Sequence, residues 1–323
     1  MPRFSPKALS AILCASAMAL TAAAPAWSQD KYPSRNVEII LPYAAGGGVD
    51  AMGRAFARGA AQLAGGQWVV VNKDGAAGML GFSALANAQA DGHTLVFSPA
   101  SPLVITPYVT KTMPFKLDKI EPVCQVFENV FAVVVNQDSP IRSMKELVER
   151  AKAAPGKLSY GHAGTGTVPH LSVASIEKTL GIKFNPIPYR GDGALMPQLI
   201  GGQLDFAAPA MSSISGRGLR VLAVMSDKPH PGAPEAPTLS QLGYPSVVPG
   251  LNGVYVPAGT PKAVVDQLQG ICQKVTESED FRKTAQTLQQ TTAYLPGAAF
   301  KARLEKVSRE NAELIPSIGL EKN

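Results

Sequence analysis

Three glycine-bearing loops hold the residues best placed to do chemistry. They are Ala44–Val49, Ala163–Val168 and Arg190–Ala194, and each precedes a stretch with helical apolar spacing. Glycine lets the backbone come close to a ligand, and a helix start presents N–H groups that lack intrahelical acceptors. Such a terminus favours an anion by ~0.3–1 kcal/mol through its dipole. Any one of these loops also reads as an ordinary tight turn between strand and helix. Three in one chain point to carboxylate binding.

Catalytic signatures are missing. Ser83 has Gly81 before it but Leu85 after it, so there is no nucleophile elbow. Gly156-Lys157 runs into Leu158 rather than Ser or Thr, which rules out a P-loop. Gly164-Thr165-Gly166 begins a dinucleotide fingerprint, but Pro169 stands where the third glycine belongs. The histidines are His93, His162, His170 and His230. They form no metal-binding spacing, and ordinary hydrogen bonding accounts for them. No catalytic residue, cofactor or metal is expected, and paired carboxylates for glycosidic chemistry cannot be picked out by spacing.

The surrounding pattern must position these loops. Val37–Pro42, Trp68–Asn72 and Thr94–Ser98 read as strands, with helices over Val49–Leu63 and Gly78–Ala88. The same grammar restarts after Asn136. Ser143 and Glu146 make a capping box. Leu158–His162, Ile187–Tyr189, Leu204–Ala208 and Leu219–Met225 read as strands, and Val168–Leu180 and Ala194–Ile200 as helices. Lys228–Pro249 is an irregular, proline-rich connection, and Gly253–Val256 is a further strand. Thr260-Pro261 reads as an N-cap with proline at the first helical position, after which the chain is mostly helical to Leu314. Alternating strands and helices predict an α/β protein with mainly parallel sheets in two lobes. Ligands bind such sheets beyond the carboxyl ends of the strands, here in a cleft between the lobes.

Composition agrees. The chain has 323 residues, 46% hydrophobic and 17% charged, enough for two packed domains and too apolar to be disordered. Arg3 and Lys7, the apolar run Ala8–Leu20 and Ala24-Pro25-Ala26 read as a cleaved secretory signal over residues 1–28. The run is too short for a membrane span. Cleavage leaves 28 Lys and Arg against 24 acidic residues, a net charge of +4. The basic residues are scattered, so nucleic-acid binding is not expected, while the mild positive field suits anionic small molecules. Cys124 and Cys272 remain, far apart in sequence. An oxidising compartment permits a bridge. Two free buried thiols are the expectation, because a chain of this size needs no staple.

The order of motifs resembles the solute receptors of tripartite tricarboxylate transporters, the Bug-type receptors. Carrying the resemblance are Pro42-Tyr43-Ala44-Ala45-Gly46-Gly47-Gly48-Val49-Asp50 with Arg54, the segment Asn72 to Gly81, and Ala90-Asp91-Gly92-His93-Thr94-Leu95. Tyr160-Gly161-His162-Ala163-Gly164-Thr165-Gly166-Thr167 with His170-Leu171, then Pro188-Tyr189-Arg190-Gly191 and Gly201-Gly202-Gln203-Leu204-Asp205, follow in the family's order. The resemblance implies a two-lobed type II periplasmic binding protein fold crossed twice by the chain. One lobe is expected from residues 29–130 with 250–323 and the other from 131–249, with crossings near Val130–Val135 and Pro249–Val254.

It also implies capture of an organic carboxylate, held largely by backbone N–H groups and ordered water. The compound is a dicarboxylate, tricarboxylate, amino acid or aromatic acid, delivered by a monomeric periplasmic protein to large and small membrane permease subunits. The expected ligand-binding residues are Tyr43, Ala45, Gly46, Gly47, Gly48 and Asp50 from the first loop, with Ser98 and Ser101. The other lobe is expected to add Ala163, Gly164, Thr165, Gly166, Thr167 and His170, then Tyr189, Arg190, Gly191 and Ser212. Tyr43 reads either as a cleft wall or as a core aromatic. Arg190 reads either as the partner of a second ligand carboxylate or as a solvated turn residue. Lys73-Asp74 and Ala76 depart from the family's second segment, and Ala207–Gly218 is a few residues short, which bears on pocket shape and ligand class. A sensor subunit or secreted enzyme on the same scaffold is the alternative.

Overall fold

The computed structural model describes residues 32–245, 250–320 and 322. The signal-sequence reading of residues 1–28 lies outside them. In chain order the first elements are β1 (Val37–Leu41), α1 (Gly48–Ala64), β2 (Trp68–Asn72), α2 (Met79–Ala86) and β3 (Thr94–Pro99). Two single-turn helices, α3 (Ser101–Val104) and α4 (Thr106–Val109), lead to β4 (Ile120–Asn129) and β5 (Phe131–Asn136). Next come α5 (Met144–Ala153), β6 (Ser159–His162), α6 (Val168–Leu180), β7 (Asn185–Pro188), α7 (Asp192–Ile200), β8 (Phe206–Ala207) and β9 (Leu219–Met225). The chain closes with β10 (Gly250–Pro257), α8 (Lys262–Glu277), α9 (Glu279–Thr287), β11 (Thr291–Pro296) and α10 (Gly297–Ser317).

The strands form two sheets, ordered β11-β4-β10-β3-β1-β2 and β7-β6-β8-β5-β9. Val37, Ile39, Ile40 and Leu41 of β1 are all buried, as befits a strand covered on both faces. The α/β architecture with two sheets matches expectation, but the sheets are mixed rather than mainly parallel. Parallel pairing is confined to β1 with β2 and β3, and to β6 with β7 and β8. Strands β4, β10 and β11 pair antiparallel in the first sheet, as do β5, β8 and β9 in the second.

The extra antiparallel strands come from stretches that hid their pattern. In β4, Pro122 and Gln125 break the apolar run, and its ladder with β10 carries register shifts. Gln125 is fully buried and satisfied, donating to the Ala293 carbonyl at 3.1 Å and accepting from Arg303 at 3.0 Å. Strand β11 likewise interrupts the expected helical C-terminus.

The chain leaves the first sheet at Asn129 and enters the second at Phe131, with only Val130 between. It returns between Met225 and Gly250. Helix α8 packs on α1 and β4, and α10 packs on β4 and α3, so the C-terminal helices cover the first sheet.

Local signals hold at most helix ends. Ser143 Oγ accepts from the Glu146 amide at 3.2 Å, and Glu146 reaches back to the Arg142 amide at 2.9 Å. Thr260 is not the cap expected of it. Its hydroxyl donates to the Pro257 carbonyl at 2.7 Å, so Pro261 occupies the N-cap and α8 begins at Lys262. The cysteines also correct expectation. Cys124 and Cys272 are both fully buried and joined by a disulfide, with Cα atoms 6.7 Å apart. Packing of α8 against β4 brings them within bridging reach.

Candidate functional site

The loops that follow the parallel strands face one another across the two sheets. Between them lies a small cavity of about 40 Å³. From the first sheet's side come Tyr43, Gly47, Gly48, Val49 and Asp50 after β1, with Pro99 at the end of β3 and Ser101 after it. Asn129 and Phe131 flank the sheet switch. The second sheet contributes Ala163, Thr167, Val168 and Pro169 after β6, Gly191 and Asp192 after β7, and Ala210 after β8.

Helix starts line this space. In α1 the Ala51 amide is the first to find an intrahelical acceptor, at Gly47 O. The earlier Gly48 amide donates to Ser213 Oγ at 3.2 Å, and the Gly46 amide to Asp50 Oδ2 at 3.1 Å. Val49 and Asp50 therefore offer the orphan N–H groups of this turn at the cavity wall. In α6, Pro169 has no N–H, so of the two helical residues in the lining only Val168 offers an amide.

Loop Ala163–Thr167 is held by two imidazoles. His162 Nδ1 accepts from the Gly164 amide at 3.2 Å, and His170 Nδ1 accepts from the Gly166 amide at 3.4 Å. Both histidines are buried, with ring centroids 4.8 Å apart. Burial holds them neutral: His162 is lowered to about 3, helped by His170, and His170 to about 4. The Gly164 and Gly166 amides are thus taken up internally. These two glycines instead touch the first sheet's loops. A Cβ at Gly164 would lie 2.9 Å from that of Ala77, and its φ of +129° already favours glycine.

Several expected residues come together here and several do not. Tyr43, Gly47, Gly48, Asp50, Ser101, Ala163, Thr167 and Gly191 line the cavity. Ala45 and Gly46 are exposed. Ser98 is buried with its hydroxyl on the Pro99 carbonyl. Gly164, Gly166 and His170 brace the loop behind the wall, and Thr165 and Tyr189 lie outside the lining. Ser212 is buried against Gly48, where an added Cβ would overlap its hydroxyl.

Two expected roles change. Asp50 lines the cavity, but its carboxylate is a latch. Burial opposes its charge, yet hydrogen bonds from Arg54, Asn72 and Gly46 outweigh burial and lower its pKa. Arg190 does not reach the cavity. Its largely exposed guanidinium lies 3.4 Å from Asp74 of the first sheet's lobe.

Contacts across the cleft are numerous. The Ala44 amide donates to the Arg190 carbonyl at 2.8 Å, and Thr106 Oγ1, which donates to Ser101 O at 3.2 Å, also lies 3.4 Å from Gly166 O. Gly191, at φ +106°, leaves room for Tyr43, whose Cβ is 3.0 Å from where a Cβ would stand. Tyr43 is buried, and its hydroxyl donates to Ala77 O at 3.2 Å, so wall and core roles coincide. Asp192 lies inside the third glycine loop, between Gly191 and Gly193, but carried no chemical signature in the sequence. Its Oδ2 accepts from the Ala210 amide at 2.9 Å and from Ser213 Oγ at 2.8 Å.

A sheet pair crossed at Val130, with a cavity at the strand ends, is the arrangement of a two-lobed binding protein. Residues 52–319 match the profile of the tripartite tricarboxylate transporter family receptor, TctC. The chain belongs to this family of transport receptors. The Bordetella pertussis protein BugT is 34% identical over 246 residues, 74% of this chain and 76% of that one. A UPF0065 protein of Cupriavidus necator is 31% identical over 96% of both chains. The solved structure of the periplasmic binding protein BugD superposes with a TM-score of 0.85 at 30% identity, covering 90% of this chain and all of BugD. The receptor is thus a solute-binding protein, and the family is not enzymatic.

Proposed function

We propose that this receptor captures a small organic carboxylate in the cleft and presents it to a membrane permease of one large and one small subunit. The observation that carries the reading is the convergence of three helix starts, those of α1, α6 and α7, on one partly enclosed space. Their amides suit a carboxylate whose charge the protein does not neutralise with a cation. In this reading the carboxylate sits between Val49-Asp50 and Val168, with Ser101 as a hydroxyl donor and Tyr43 excluding water.

Residues 29–130 with 250–323 make one lobe and 131–249 the other, a division supported by which strands join which sheet. The space is far smaller than the ~300–1,000 Å³ of drug-sized ligand pockets, so the lobes hinge apart to admit the ligand and close on it. Residues 1–28 direct the chain to the periplasm and are removed, and the receptor works as a monomer.

Melting the mature protein against di- and tricarboxylates, amino acids and aromatic acids tests the reading. A ligand at a hundred times its Kd stabilises the folded state by ~2.7 kcal/mol. At least one carboxylate is expected to raise the melting temperature in a concentration-dependent way. Failure of every carboxylate at millimolar concentration overturns the proposal.

A further inference from the structure

Among the described residues, the cavity lining holds two carboxylates, Asp50 and Asp192, and no lysine or arginine. The two carboxylates differ. Asp50 is already matched by Arg54, with its oxygens bonded to Arg54, Asn72 and Gly46. Asp192 uses only Oδ2, and its Oδ1 is buried without a protein partner. The opposing charge that acts on it is that of the exposed Arg217, which lowers its pKa less than burial raises it. Asn129, also in the lining, has a buried and unpartnered Oδ1. Two buried acceptors without a protein partner, Asp192 Oδ1 and Asn129 Oδ1, therefore belong to residues of the lining.

We propose that the ligand is a small zwitterion, a carboxylate that also carries an ammonium group, and that Asp192 selects the ammonium. The inference rests on the carboxylate-receptor reading above and narrows it. A second ligand carboxylate beside Asp192 meets a like charge and no cation, because Arg190 is turned to Asp74 at the rim. An ammonium supplies both the missing donor and the missing charge. Asp192 is also tied to the helix start that faces the ligand carboxylate. The Gly48 amide donates to Ser213 Oγ, which donates to Asp192 Oδ2. This chain joins the two lobes, so recognition of the ammonium and closure share one set of bonds.

Calorimetry at neutral pH on compounds of matched skeleton tests this. Butyrate, succinate, 4-aminobutyrate and 2-aminobutyrate form one set, and their three- and six-carbon counterparts form others. The expected result is an amino-carboxylate binding at least tenfold more tightly than the monoacid and diacid of the same length. Asp192→Asn keeps an oxygen for Ala210 and Ser213. It is expected to weaken the amino-carboxylate at least tenfold and to strengthen the diacid. A diacid that binds the unaltered protein more tightly than its amino counterpart overturns the inference and leaves the receptor reading standing. So does an unchanged preference in a folded Asp192→Asn protein. If that variant does not fold, the ranking on the unaltered protein decides alone. Failure of every compound in these sets to bind overturns the inference, while the receptor reading is decided by the wider carboxylate screen above.

Discussion

At the rim of the cleft, the Arg190 guanidinium meets Asp74 with most of its side chain in solvent. Exposed pairs of this kind contribute ~0–1 kcal/mol after screening. Arg190→Ala is therefore expected to change mono- and dicarboxylate affinities equally and by less than about fivefold. A selective loss of dicarboxylate binding in calorimetry would put Arg190 back in the site. His162 and His170 act on stability instead. Both have folded pKa values lowered from 6.5, to about 3 and about 4, chiefly by burial. The unfolded chain takes up their protons first as pH falls below 6.5, so the stability present at neutral pH is lost on acidification towards the folded values. From pH 7 to pH 5 the loss is about 1–2 kcal/mol for each histidine. Urea unfolding at the two pH values checks this. In His162→Gln, where the group no longer titrates, the pH dependence is expected to shrink by about one histidine's share.

The turns between elements set how closely the lobes meet. Gly193, in the first turn of α7, faces the Ala45 carbonyl, and an added Cβ would overlap it. Its φ lies outside the left-handed region, so alanine suits the backbone. Gly193→Ala is expected to leave the unliganded melting temperature within a few degrees and to weaken carboxylate binding at least tenfold by holding the cleft ajar. Equal binding by both proteins would show that this contact is not part of the bound state.

Much of this level was legible in the sequence. Helix α6, strand β2 and strand β9 fall at their expected bounds, because apolar period and glycine stops agree there. Strand β4 was not legible, since Pro122 and Gln125 mask a buried strand that tertiary partners complete. Asn129 and Phe131 escaped for the same reason, as their place in the cavity depends on a sheet switch that only pairing reveals. Glycine loops marked the site's neighbourhood correctly, but not which amides were already bonded. The imidazole acceptors that occupy Gly164 and Gly166 come from His162 and His170, which spacing alone left as ordinary histidines.

On the scale of the whole molecule, one sheet holds the first and last strands and the other is inserted between β4 and β10. The Cys124–Cys272 bridge lies within the first sheet's layer, tying β4 to α8 across 148 residues of sequence. It therefore spans the whole inserted sheet in sequence while leaving the inter-lobe connections free to bend. Removal of a disulfide closing so long a loop costs ~2–5 kcal/mol. Denaturant unfolding with and without reductant is expected to show that loss, and carboxylate binding under native conditions is expected to survive it. That outcome would fit the proposed opening and closing of the cleft as a process independent of the bridge.

The central claim is that backbone amides at facing helix starts hold a ligand carboxylate between the lobes. The measurement that tests it most directly is a crystal structure of the receptor with the carboxylate that most raises its melting temperature. The predicted result places the carboxylate oxygens within hydrogen-bond distance of the Val49 or Asp50 amide and of the Val168 amide, with Asp192 beside the other end of the ligand. A ligand seated outside the space between Gly48 and Val168, or held there by side-chain cations alone, would contradict the account.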